Sequence, residues 1–154
     1  MKFNLFFLAS ILVTFLFSCT LNSEQEASLN QNLSRYLKAR NSCMKTGIIG
    51  FSHPDYVLEV KNESDSAFLK AFDCENYGKA VRFSDPTLRK TIKEKDIIHV
   101  YYELDVEAGN TGVVNRRSEG LYALSEDNGK TWYFLMKDIY ENREISKSVK
   151  RLID

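Results

Sequence analysis

The sequence predicts an α+β domain in which N-terminal helices pack on one face of an antiparallel sheet. Two observations carry this. Apolar residues fall largely at helical spacing in the first half of the chain, and from residue 97 onward they alternate in strand fashion between Gly- and Asn-rich turns. Leu29, Leu33, Tyr36, Leu37 and Met44 give a first helix over residues 26–43, after which Ile48-Ile49 between two glycines forms a short helical turn. His53-Pro54 breaks the chain, and residues 56–60 read as a short strand. Ser64 or Asp65 caps a further helix running through Ala67, Phe68, Leu69, Ala71 and Phe72.

After Cys74 the period changes. Tyr77, Lys79, Val81 and Phe83 alternate with small or polar residues, and Asp85-Pro86 marks a bend or bulge. Residues 97–107 are the clearest strand, with Ile98, Val100, Tyr102, Leu104 and Val106 on an apolar face and His99, Tyr101, Glu103, Asp105 and Glu107 on a polar one. Gly109-Asn110-Thr111-Gly112 turns the chain into a strand over 113–125, and Asp127-Asn128-Gly129 turns it again into one over 131–136. Arg116 and Arg117 sit where one of them can pair with the carboxylates of the neighbouring polar face.

Met-Lys followed by the mostly apolar residues 5–17 has the shape of a signal peptide, too short to be a comfortable membrane span. Leu16-Phe17-Ser18-Cys19 resembles the lipobox of bacterial lipoproteins: an aliphatic residue, a small residue beside the scissile bond, and a cysteine whose thiol takes a diacylglyceryl group. The resemblance implies a signal peptide over 1–18, lipidation at Cys19, a tether over 19–26 and one domain over 27–154 with a short C-terminal helical tail. It places the domain in the cell envelope, at the outer membrane in preference to the inner, facing the periplasm or the cell surface. Two or more acyl chains give stable attachment, at about 0.8 kcal/mol per buried methylene.

Lys and Arg number 21 against 21 Asp and Glu, so no basic excess exists to hold nucleic acid. A hydrophobic share of 44% is ordinary for a folded domain. Cys43 and Cys74 are candidates for a disulfide in an oxidising compartment, or else two small buried hydrophobes. Zinc-ligand spacing is absent, and no cofactor motif is present. His53 and His99 are the only histidines; neither has a recognisable nucleophile partner, and His53 is placed for local capping.

Ser125-Glu126-Asp127-Asn128-Gly129-Lys130-Thr131-Trp132 fits the Asp-box pattern of sialidases and other propellers, where the box recurs in each blade and is not catalytic. A single copy in a short chain reads as a well-built turn: Asp accepts from turn amides, Gly supplies positive φ, and Trp packs beneath. Tyr102 and Tyr122 are the candidate pocket contacts, and Trp132 and Tyr102 the expected core aromatics.

The order of elements resembles the nuclear-transport-factor-two-like (cystatin-like) superfamily over about residues 28–140. The likeness rests on Tyr36-Leu37-Lys38-Ala39-Arg40-Asn41, Ser52-His53-Pro54, Ala67-Phe68-Leu69-Lys70-Ala71 and the hairpin through Trp132-Tyr133-Phe134. It implies a curved sheet wrapped around helices into a cone whose pocket takes small apolar molecules. Some members are isomerases or cyclases with an acidic base inside the cone. Here the apolar face of residues 97–107 should meet the helices, leaving Glu103 and Asp105 outside, so no catalytic residue carries over. The expected function is a lipid-anchored module binding a small apolar ligand or an envelope protein; the alternative is a pocket enzyme of isomerase or hydrolase type. Homodimerisation through the polar strand face, with Tyr101 as anchor, is the sharper expectation for that surface; a solvated, salt-laced face is the plainer one.

Overall fold

The structure is a computed structural model that describes residues 20–73, 81–110 and 113–142. Cys19, Cys74 and the signal segment lie outside these residues. Among the described residues four helices precede the sheet: α1 (Ser23–Asn41), α2 (Lys45–Phe51), α3 (Pro54–Glu63) and α4 (Asp65–Ala71). Then come β1 (Val81–Glu94), β2 (Ile97–Asn110), β3 (Val113–Ser125), β4 (Tyr133–Met136) and a short α5 (Lys137–Asn142). The strands pair antiparallel in the order β1-β2-β3-β4, and the sheet curls into a half-barrel, an α+β fold as the sequence predicts.

Local chemistry explains the helix boundaries. Asn22 caps α1 in a capping box: its side chain accepts from the Gln25 amide, and the Gln25 side chain accepts from the Asn22 amide. Residues 23–26, expected as tether, are therefore the first turn of α1. At the other end the amides of Cys43 and Met44 donate to the carbonyls of Arg40 and Ala39, a Schellman closure with Cys43 at φ 49°.

Residues 56–60 are helical, not a strand. Pro54 opens α3 in the first turn, where its missing N–H costs nothing, and His53 Nδ1 accepts from the Asp55 amide. Tyr56 and Val60, four residues apart, are the buried pair of that helix. An apolar run this short fits either period, and the His-Pro cap decides it. Ser64 caps α4 through its hydroxyl, as expected.

The sheet is apolar on both faces in part, which the sequence reading missed. Leu29, Leu33 and Tyr36 of α1 pack on Ile98, Val100, Tyr102, Leu104 and Val106, with Leu121, Trp132, Phe134 and Met136. Tyr36 stacks on Phe134 at 4.8 Å between ring centroids. Side chains that pair across strands share a face, so His99, Leu124 and Tyr133 lie together opposite α1, as do Tyr122 and Leu135. There Leu124 and Leu135 join Ile48, Tyr56, Val60, Phe72 and Tyr140 in a second core. His99 is accordingly 2% exposed, where the sequence placed it on a polar strand face. The rest of that face keeps its charges. Glu103 pairs with Arg89 of β1 and Glu107 with Arg116 of β3, so the expected cross-strand partner is Glu107 for Arg116, while Arg117 pairs with Glu119 on its own strand.

The bend expected at Asp85-Pro86 is a register shift between Ser84 and Thr87, followed by a second between Leu88 and Lys90. Proline and bulges belong on an edge strand, and β1 is one. Asn41 holds that edge to the end of α1: its side chain donates to the Phe83 carbonyl at 2.9 Å and accepts from the Phe83 amide at 2.8 Å.

Candidate functional site

Between α1 and the edge strand the helix face of the sheet stays open. Leu21, Leu29, Leu88, Val100 and Tyr102 contribute to the lining of a cavity of about 610 Å³, rimmed by Glu26, Arg89 and Lys90. A second cavity of about 540 Å³ continues along α1 past Leu33 and Leu37 to Ser42, sharing Asn30 and Pro86 with the first. Together they form a trough that runs the length of α1. Its near end is Thr20, the residue after Cys19. Leu88 lines the first of these cavities with 56% of its surface exposed, a large apolar side chain left uncovered where a packed strand would bury it. Burial, with Glu26 adding to it, pushes the Tyr102 hydroxyl up to about 12, so it serves the trough as a neutral hydrogen-bonding group.

The Asp-box segment is a turn whose polar groups are consumed internally. Asp127 Oδ1 accepts from the Ser125 hydroxyl and from the amides of Lys130 and Thr131, and the Gly129 amide donates to Ser125 Oγ. Burial alone would raise the Asp127 carboxyl. The donors from Thr131, Ser125 and Lys130 outweigh it and hold the group below its usual range. These bonds occupy Lys130 and Thr131, so β4 begins at Tyr133 rather than at 131. Gly129 sits at φ 87°, and a Cβ there would lie 2.8 Å from Gln25 Cγ. The Gln25 amide crosses to this turn, donating to the Asn128 carbonyl at 3.0 Å and to its Oδ1 at 2.8 Å. The turn thus locks α1 to the sheet. His53 does the same for α3: beyond its capping bond its Nε2 lies 3.8 Å from Glu126, and its ring meets Tyr133 edge-on at 5.3 Å.

On the face opposite α1, Lys90, Ile92, His99, Tyr101 and Tyr122 line a small cavity of about 60 Å³. Tyr122 lies between Tyr101 at 5.0 Å and Tyr140 of α5 at 4.3 Å, its ring tilted to both, and Tyr140 meets His99 edge-on. The missing Cβ of Gly120 admits α5 here, since one would lie 2.8 Å from both Lys137 Cβ and Tyr101 Oη. Neither ring nitrogen of His99 finds a hydrogen-bond partner among the described residues. Burial pulls its imidazole down to about 4.

That shift has a direct consequence for stability. The folded value lies below the unfolded one of 6.5, so the neutral imidazole's contribution is complete above pH 6.5 and is lost as the pH falls through about 4. The groups facing it are Lys90 from β1, Tyr101 from β2, Tyr122 from β3 and Tyr140 from α5. Denaturation between pH 7 and 4 should show a loss of at most about 3 kcal/mol that His99→Phe removes. Equal pH slopes for the two proteins would refute the assignment.

Tyr102 and Tyr122, named together as pocket contacts, are not neighbours in one pocket. Tyr102 lines the trough and Tyr122 the small cavity on the other face, because residues 101 and 122 pair across the strands and residue 102 points the opposite way. Sequence reasoning missed Leu88, hidden among charges by the double bulge, and Gln25, placed in the tether. It also missed the small cavity, whose signal was an imidazole and a phenol alternating on one strand. Cys43 is disulfide-bonded, while Cys19 and Cys74 lie outside the described residues. Among the described residues no cluster of three or more His, Cys, Asp or Glu could hold a metal, and no helix is long and apolar enough to cross a membrane. No protein family, curated protein or solved structure matches the chain.

Proposed function

We propose that this chain is a lipid-anchored protein of the bacterial cell envelope whose domain, of nuclear-transport-factor-two-like (cystatin-like) type, binds an elongated apolar ligand in the trough between α1 and β1. The observation that carries the reading is the position of the trough. Its apolar wall of Leu21, Leu29, Leu88 and Val100 opens at Thr20, one residue from the cysteine of the lipobox. An anchor on Cys19 would hold that open end at the membrane surface, where apolar ligands concentrate. The buried polar side chains among the described residues are Gln25, Ser52, His53, His99 and Ser125, none of them an acid. The acid among the trough's lining residues, Glu26, is exposed at its rim rather than desolvated inside it, which suits binding better than acid–base catalysis.

Two variants test the two halves of this reading. Cys19→Ala should move the protein from the membrane to the soluble fraction with its domain folded; a variant that still pellets after signal cleavage sinks the anchor. Leu88→Glu places a charge on an already exposed side chain and should weaken binding of a fluorescent long-chain fatty acid at least tenfold, about 1.4 kcal/mol. Unchanged affinity sinks the trough.

A further inference from the structure

The His99 cavity lies on the other side of the sheet from the trough, the two sharing Lys90 on the edge strand. An imidazole buried without a partner on either nitrogen is costly, since each polar group so left forfeits its hydration. Its surroundings are one-sided. The five lining residues bring one ammonium, one imidazole, two phenols and one aliphatic chain, and no carboxylate. Such a lining is rich in donors and has no fixed anion, so it matches a negatively charged guest. Ile92 and the faces of Tyr101 and Tyr122 add apolar wall, which an inorganic anion would not use. At about 60 Å³ the space suits a molecule of a few heavy atoms, far below the few hundred Å³ of a site for a large ligand.

We propose that the cavity around His99 is a site for a small organic monocarboxylate, its carboxylate held by the His99 imidazole and the Lys90 ammonium and its carbon chain packed against Ile92, Tyr101 and Tyr122. Binding draws a proton onto His99 from solvent, because an anion beside the ring offsets the burial that otherwise keeps it neutral. Tyr140 of α5 meets the His99 ring edge-on, and Lys137 of the same helix, 6.0 Å from the centre of the Tyr101 ring, is paired with Glu141 at 3.6 Å, so this pair brings the cavity no net charge.

The test is imidazole NMR on the intact protein in detergent micelles, titrated with sodium butyrate and, for comparison, inorganic phosphate. His99 signals are identified by their loss in His99→Phe. Butyrate should shift them and raise the pH at which they titrate. Lys90→Ala, a change at an exposed position, should weaken binding about tenfold and keeps the test valid should His99→Phe fail to fold. His99 signals indifferent to butyrate, or equal affinity in Lys90→Ala, overturn the site. Displacement of butyrate by phosphate overturns the carboxylate assignment.

Discussion

Trp132→Ala should cost roughly 3–5 kcal/mol of stability, the range for deleting a buried aromatic ring. Trp132 is 2% exposed and belongs to the core between α1 and the sheet, with Leu29, Leu33, Tyr36 and Phe134. It is placed there by the turn before it. Asp127 holds the Lys130 and Thr131 amides, and the chain emerging from those bonds carries the indole inward beside Gly129. Losing the ring thus opens a cavity and loosens the turn that Gln25 grips from α1. Guanidinium denaturation followed by circular dichroism measures the loss, since the chain has a single Trp and the variant has no indole to report by fluorescence. A loss below about 1 kcal/mol would contradict the burial. Trp132→Phe, which keeps an aromatic ring in the space, should cost less than Trp132→Ala.

What could be read from the residues and what could not have separate physical causes. The face of β2 from Ile98 to Val106 was legible because strict alternation over a long strand has one interpretation, and all five apolar side chains are buried. The Asp-box turn was legible because its chemistry is local. Residues 56–60 were not, because an apolar run of that length fits helix and strand alike until the His53-Pro54 cap is given its weight. His99 was misplaced for a different reason. Alternation reports which face a residue shares, not what lies over that face, and the cover comes from Tyr140, far along the chain. The trough was illegible as a site because Asp85-Pro86 signals the first of the two bulges beside it but nothing in the sequence signals the second or the uncovered Leu88.

Reduction of the native protein should lower its stability by about 3–4 kcal/mol, the loop-entropy value for a cross-link closing residues 43–74. Cys43 is disulfide-bonded. The chain offers it Cys19 and Cys74 as partners, and the proposed lipid on Cys19 would occupy that sulfur as a thioether. Geometry favours the same choice. Lys45 Nζ lies 3.3 Å from Asp73 Oδ1, so the segment two residues after Cys43 is held against the residue immediately before Cys74. The bond would tie the end of α1 to the end of α4, closing the helical layer before the chain enters the sheet. It also explains a cysteine at φ 49°, a place in the Schellman closure that favours glycine. The ion pair alone is worth little, because Lys45 is half exposed, and Lys45→Ala should cost under about 1 kcal/mol. Denaturation of the oxidised protein, the reduced protein and Cys43→Ala should give one high midpoint and two lowered ones. Peptide mapping without reductant should recover residues 43 and 74 in one cross-linked fragment. A midpoint indifferent to reductant, or a cross-link from Cys43 to Cys19, would refute the pairing, and the second result would remove the lipid anchor with it.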